Sequence, residues 1–149
     1  MKLRLYLDTS VMSALLDDRH PDRMRETEQF WELAREYEFT TSDLAKEEIL
    51  STPDVERRAR MLKLTEGLTI VTLDNEARML ADLYIDQDIF SPALLNDALH
   101  VAAAVVSRQD ILVSWNFRHL VNRRRRALVN EVNIVHGYPT IEIVSPPEI

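Results

Sequence analysis

Residues 3–12 read LRLYLDTSVM. Over residues 2–7 the pattern alternates and then runs apolar, which predicts a strand suited to the middle of a sheet. That strand ends on a carboxylate, Asp8, followed at once by two hydroxyls, Thr9 and Ser10. From Ser10 to Leu16 the residues predict a short helix. A carboxylate where a core strand gives way to a helix is either a cap or part of a site. Deciding between them depends on whether other carboxylates recur at the ends of other elements.

Outward from that stretch, strands and helices alternate. A polar break over 17–22 leads into a long helix predicted for 22–37, then a short strand at 38–41. Ser42 is a good N-cap for a helix over 43–50. Pro53 is suited to open the next helix, which runs to Thr65 and is closed by Gly67. A β-branched strand follows at 68–73, then a helix over 74–87 capped by Asp74. Ser91 and Pro92 open the most apolar helix, to Val106, which must be buried on most faces. A strand at 110–115, a polar helix over 118–136 closed by Gly137, and a last strand at 140–145 complete the chain. The order β-α-α-β-α-α-β-α-α-β-α-β predicts an α/β fold: a three-layer sandwich with a mainly parallel four- or five-stranded sheet, in one domain over 1–149.

Composition removes several kinds of chemistry. The 149 residues hold two glycines and no cysteine, so there is no glycine-rich phosphate cradle, thiol nucleophile or cysteine zinc site. The four histidines show no paired metal-ligand spacing. No secretory signal or membrane span is readable, and the expectation is a cytoplasmic protein with no membrane partner. A net charge of −7 argues against nucleic-acid binding by bulk electrostatics, although a local basic patch can override it.

The carboxylates recur. Asp97 lies inside the nearly all-apolar helix, where a charge is costly unless paired or bound to a cation; His100, three residues on, is a candidate partner. Glu47 and Glu48 compete for a third place. Glu48 falls four after Leu44 and three after Ala45, on the apolar side, whereas Glu47 falls four after Asp43. Three inward acids from separate elements repel one another unless protons or cations neutralise them. An all-oxygen donor set selects Mg2+ or Mn2+ and implies metal-assisted phosphodiester hydrolysis.

Four pieces together carry a resemblance: YLDTSVM (6–12), TSDLAKEEI (41–49), NDALHVAAA (96–104) and LVSWNFRHL (112–120). In this order and spacing the chain resembles the PIN-domain ribonucleases, and among them the VapC-type toxins of toxin–antitoxin pairs. The resemblance implies that Asp8, Glu48 and Asp97 bind the metal. Thr9 or Ser10 would help hold a ligand water, with Ser114 in support. Asn116 stands where many members carry a further aspartate; an amide oxygen can still bind metal or water but brings no charge. The implied protein is a metal-dependent endoribonuclease acting on RNA, with a small antitoxin as partner and a homodimer as a common state. The alternative is a PIN-fold module for RNA or protein binding whose catalysis is weak or lost.

Blander readings stand beside these. Asp8 can be only a cap, and Asp97 only a structural partner of His100. Arg118, Arg123, Arg124 and Arg126 can bind phosphates or simply cover a solvated helix, since successive positions sweep round a full turn. Trp115 and Phe117 can stack on splayed bases or finish a core.

Overall fold

The computed structural model describes residues 1–149. In chain order the elements are β1 (Arg4–Leu7), α1 (Thr9–Leu15), α2 (Pro21–Trp31), β2 (Glu38–Ser42), α3 (Asp43–Leu50), α4 (Val55–Thr65), β3 (Thr69–Val71), α5 (Asn75–Asp86), α6 (Leu95–Val106), β4 (Ile111–Val113), α7 (Arg123–Val135) and β5 (Glu142–Val144). Short 3₁₀ turns follow α2, precede α6 and close the chain. The five strands form one sheet in the order β3-β2-β1-β4-β5, and every pair is parallel. No helix is long and apolar enough to cross a membrane.

The pleat of β1 divides the core. Tyr6 joins a cluster with Leu80 and Tyr84 of α5, Ala102 of α6 and Val129 of α7. Leu5 and Leu7 point the other way, into a cluster with Val11 and Ala14 of α1 and Phe30 of α2. A third cluster, of Met12, Ala45, Ile49 and Met61, packs α1, α3 and α4 together. Helices therefore cover both faces of a central strand, as its near-continuous apolar run requires.

The strand order reverses between β1 and β4. From β1 the chain winds outward through β2 and β3, then returns to place β4 on the other side of β1. In open α/β sheets such a switch leaves a crevice beyond the carboxyl ends of the two strands. Asp8 follows β1 there and Ser114 follows β4, and the Asp8 N–H donates to the Val113 carbonyl at 3.3 Å.

The helix expected over 22–37 gives way after Trp31 to a 3₁₀ turn over Glu32–Arg35, and three further boundaries differ from the sequence expectation for local reasons. Helix α4 begins after Asp54, whose carboxylate accepts from the Arg57 N–H at 3.1 Å, so Pro53 lies outside it. Gly67 does not adopt the left-handed conformation; Gly137, with φ of 79°, is the glycine that does. The polar helix expected from 118 starts only at Arg123. Asn122 caps it by accepting from the Arg125 N–H at 2.8 Å. The preceding residues instead fold back on Asn116, whose carbonyl accepts from the N–H groups of Leu120 and Val121.

Candidate active site

Asp8 sits where β1 stops and is the N-cap of α1, accepting from the Ser10 N–H at 3.1 Å. Its role in the fold goes further than a cap. The Ser10 hydroxyl also donates to Oδ1, and the Ser114 hydroxyl, from the end of β4, donates to Oδ2 at 2.6 Å. Ser10 Oγ in turn accepts from the Trp115 N–H at 2.9 Å. The two serines thus tie the ends of β1 and β4 to one carboxylate that is 5 % exposed. Burial pushes the Asp8 carboxyl above its ordinary range, against the His100 charge and the serine hydrogen bonds.

Glu48 turns inward from α3, while Glu47 is exposed. Its Oε1 accepts from the Thr9 hydroxyl at 2.7 Å and meets His100 Nε2 at 2.6 Å; Oε2 accepts from the Asn96 amide at 3.4 Å. Burial opposes ionisation of Glu48, but the His100 hydrogen bond and charge outweigh it and hold the carboxyl below its usual range. The same contact raises His100 although burial works against its charge. His100 Nδ1 shares a 2.7 Å hydrogen bond with the Tyr6 hydroxyl, which shares another of 2.7 Å with Ser42. A buried chain of hydrogen bonds therefore runs from the N-cap of α3 through β1 and α6 to Glu48.

Asp97 lies in the first turn of α6. Its contact is the Asn116 amide, Nδ2 to Oδ1 at 3.3 Å, not His100 as the three-residue spacing suggested. Burial pushes the Asp97 carboxyl upward and the neighbouring Glu48 charge adds to this, while His119, His100 and Arg125 pull it down. The Asn116 amide oxygen is already used, accepting from the His119 N–H at 2.9 Å. That contact fixes the amide orientation, so Asn116 turns a donor toward Asp97 rather than an oxygen.

Asp8, Glu48 and Asp97 thus come from three elements toward the same end of the sheet, and Asp8 and Asp97 each feel the charge of Glu48. Their oxygens are spread over hydrogen bonds, and no group of three or more His, Asp or Glu side chains closes into a metal-holding cluster. The donor set itself is of hard oxygens and suits a divalent cation such as magnesium.

The arginines divide. Arg118, Arg123 and Arg124 are exposed. Arg126 donates to the Ile143 carbonyl at 2.9 Å and secures β5. Arg125, of the same run, donates to the His119 carbonyl at 2.6 Å, lies 4.6 Å over the Phe90 ring and is within the field of Asp97. Trp115 is buried, with its indole N–H donating to Thr27 at 2.9 Å, whereas Phe117 is 48 % exposed. His119 and Arg23 also adjoin the site, and no local spacing marks either of them.

The family model for the PIN domain matches residues 5–132. No curated protein matches the chain by sequence. Among solved structures, the chain is similar to a toxin–antitoxin complex from Klebsiella pneumoniae (TM-score 0.62, 17% identity, 81% of this chain and 93% of that one). It is also similar to VapBC-1 from nontypeable Haemophilus influenzae (TM-score 0.61, 13% identity, 97% and 98%). A third similar structure is VapC20 from Mycobacterium tuberculosis, a sarcin–ricin loop cleaving toxin (TM-score 0.54, 16% identity, 77% and 92%). At these identities the likeness is one of fold.

Proposed function

The chain belongs to the PIN-domain family, and on that premise we propose that it is a divalent-metal-dependent endoribonuclease, the toxin of a toxin–antitoxin pair. The observation that carries this reading is the arrival of Asp8, Glu48 and Asp97 at the switch point between β1 and β4, where the only ion pair any of them makes is that of Glu48 with His100. Asp8 is buried and Asp97 half-buried, neither with an ion-pair partner; such carboxylates are costly, and a bound cation offsets that cost. Asp8, Glu48 and Asp97 would hold the ion. When bound, Mg2+ or Mn2+ neutralises these acids, polarises the phosphodiester and lowers the pKa of an attacking water.

The chain's own groups prepare the site. The Ser10 and Ser114 hydroxyls hold both oxygens of Asp8 in one orientation. Thr9 and His100 fix Oε1 of Glu48, and the Asn116 amide orients Asp97. Exposed Arg118, Arg123 and Arg124 give the RNA backbone positive charge that the acidic whole lacks. Single-stranded or looped RNA is the substrate, because the acids lie beside a cleft lined by Ser10 and Asn116 that a splayed backbone can enter. A small antitoxin protein and a second copy of the chain are the proposed partners.

The test is RNA cleavage by chelator-treated protein after addition of Mn2+ or Mg2+, beside Asp8→Asn and Asp97→Asn. The expected result is metal-dependent cleavage, reduced at least about 100-fold in each variant. Cleavage that persists with chelator, or is unchanged in both variants, overturns the proposal. A second reading, a PIN-fold module that binds RNA or protein without cutting, is favoured by Asn116, whose oxygen is engaged by the His119 N–H. RNA binding with no cleavage in either metal would select it.

A further inference from the structure

Beside the acids, on the α2 side, a cleft of about 300 Å³ is lined by Ser10, Asp17, His20, Arg23, Trp115 and Asn116, among others. It continues past His20 and Arg23 into a second hollow of about 440 Å³. Ser10 and Asn116 belong to both the acid site and this cleft, so a chain lying across the acids reaches it without a break. The Arg23 guanidinium lies 4.8 Å from the centre of the Trp115 ring and 5.9 Å from that of Phe117. The two rings meet edge to face at 5.9 Å.

Two features single out Arg23 among the basic residues of 19–25. Its basic neighbours have acidic partners: Arg19 and His20 meet Asp17, and Arg25 pairs with Asp22. Arg23 makes no ion pair, in a chain of net charge −7. Its platform is also fixed. The Thr27 hydroxyl donates to the Arg23 carbonyl at 2.6 Å and accepts from the Trp115 indole at 2.9 Å. One buried hydroxyl therefore clamps the α2 turn that carries the arginine to the ring that the arginine covers.

We infer that Arg23, Trp115 and Phe117 form a nucleotide subsite for single-stranded RNA beside the acids. Phe117 offers its exposed ring to a nucleobase, and Arg23, near both aromatic rings, binds the adjoining phosphate. This deepens the ribonuclease reading and rests on it. An unpaired planar guanidinium next to an exposed ring meets both halves of a nucleotide, the anionic backbone and the π-face.

Binding without cleavage tests the subsite: fluorescence anisotropy of a labelled, unstructured oligouridine, in chelator, over a series of salt concentrations. Phe117→Ala is expected to weaken binding about 10-fold. Arg23→Ala is expected to weaken it several-fold and to lower the slope of log affinity against log salt by about 0.7. Arg23→Lys should restore the salt slope and only part of the affinity. Arg78→Ala, the same loss of charge at an exposed position of α5 across the sheet, should change neither. Phe117 and Arg23 are exposed, and melting curves of the variants confirm that they fold. If wild-type protein binds and both alanine variants match it, the subsite is refuted and the ribonuclease reading stands. If the variants lose only a protein partner, the cleft serves that partner and the proposal fails. If wild-type protein neither binds nor cleaves RNA, both readings fall.

Discussion

His100→Leu tests whether the contact with Glu48 governs the stability of the metal-free protein. The imidazole is 3 % exposed and is held by Glu48 at 2.6 Å and Tyr6 at 2.7 Å. Leucine keeps the bulk and removes both hydrogen bonds. The Tyr6 hydroxyl retains Ser42, and Glu48 retains Thr9 and Asn96. The principal loss is thus one charge-assisted hydrogen bond, about 1.5–3 kcal/mol. The Glu48 side chain is 29 % exposed and can turn to water, so the cost stays below the roughly 3–5 kcal/mol of an ion pair broken in a closed interior. About 2 kcal/mol corresponds to a fall in Tm of roughly 6 °C for a chain of 149 residues.

The pH dependence separates this contact from simple packing. Glu48 is held below its ordinary value of 4.5, so it adds stability above that pH and loses it as pH falls through the lowered folded value. His100 is raised above 6.5, so it adds stability below that pH and loses it as pH rises through the raised folded value. The wild-type advantage is therefore greatest between about 4.5 and 6.5 and shrinks on both sides. The groups facing the imidazole all act in the same direction: Asp8 after β1 and Asp97 on α6 add to the effect of Glu48 on α3. Thermal melts of both proteins in chelator, from acid to alkaline pH, measure the difference. An advantage that is flat with pH, or that grows above neutral, would refute the argument.

Further consequences follow from the same contacts. Asn116→Asp keeps an acceptor for the His119 N–H but replaces the amide donor 3.3 Å from Asp97 with a like charge. The metal-free Tm at neutral pH should fall by a few degrees while Mn2+ binding by calorimetry tightens; unchanged Mn2+ affinity would place Asn116 outside the ion's reach. Thr27→Val preserves shape at a fully buried position and strands the Trp115 indole N–H. Its expected cost is about 1–3 kcal/mol, seen as a lower midpoint in urea, and a midpoint equal to wild type would mean that the hydroxyl is not the clamp.

Periodicity carried the reading of the fold because it records which side chains face inward. The phase of α3 distinguishes Glu48 from Glu47 through Leu44 and Ala45 alone, and the structure leaves Glu47 exposed while Glu48 turns to His100. The same local logic failed where a polar group had to choose a partner. On α6, Asp97 and His100 lie three residues apart and share a helix face, yet His100 bonds to residues 52 and 94 positions away. Those partners meet only because β2 and β4 flank β1 and bring α3 and α6 to the same edge.

Asn122, inside the helix expected over 118–136, shows the same limit. Between Leu120 and the arginines it fits a helix interior, and only the backbone folding back on Asn116 makes it a cap. That one change shortens α7 and commits Arg125 and Arg126 to carbonyls of the fold. Arg23 and Trp115 stand at the far extreme: 92 positions apart, they are joined through Thr27, which has no sequence signal of its own. Alternation of helix and strand thus specifies the layers. The polar contacts that give the site its chemistry depend on the strand order, and the reversal between β1 and β4 is what brings Ser114 onto Asp8 across 106 residues of chain.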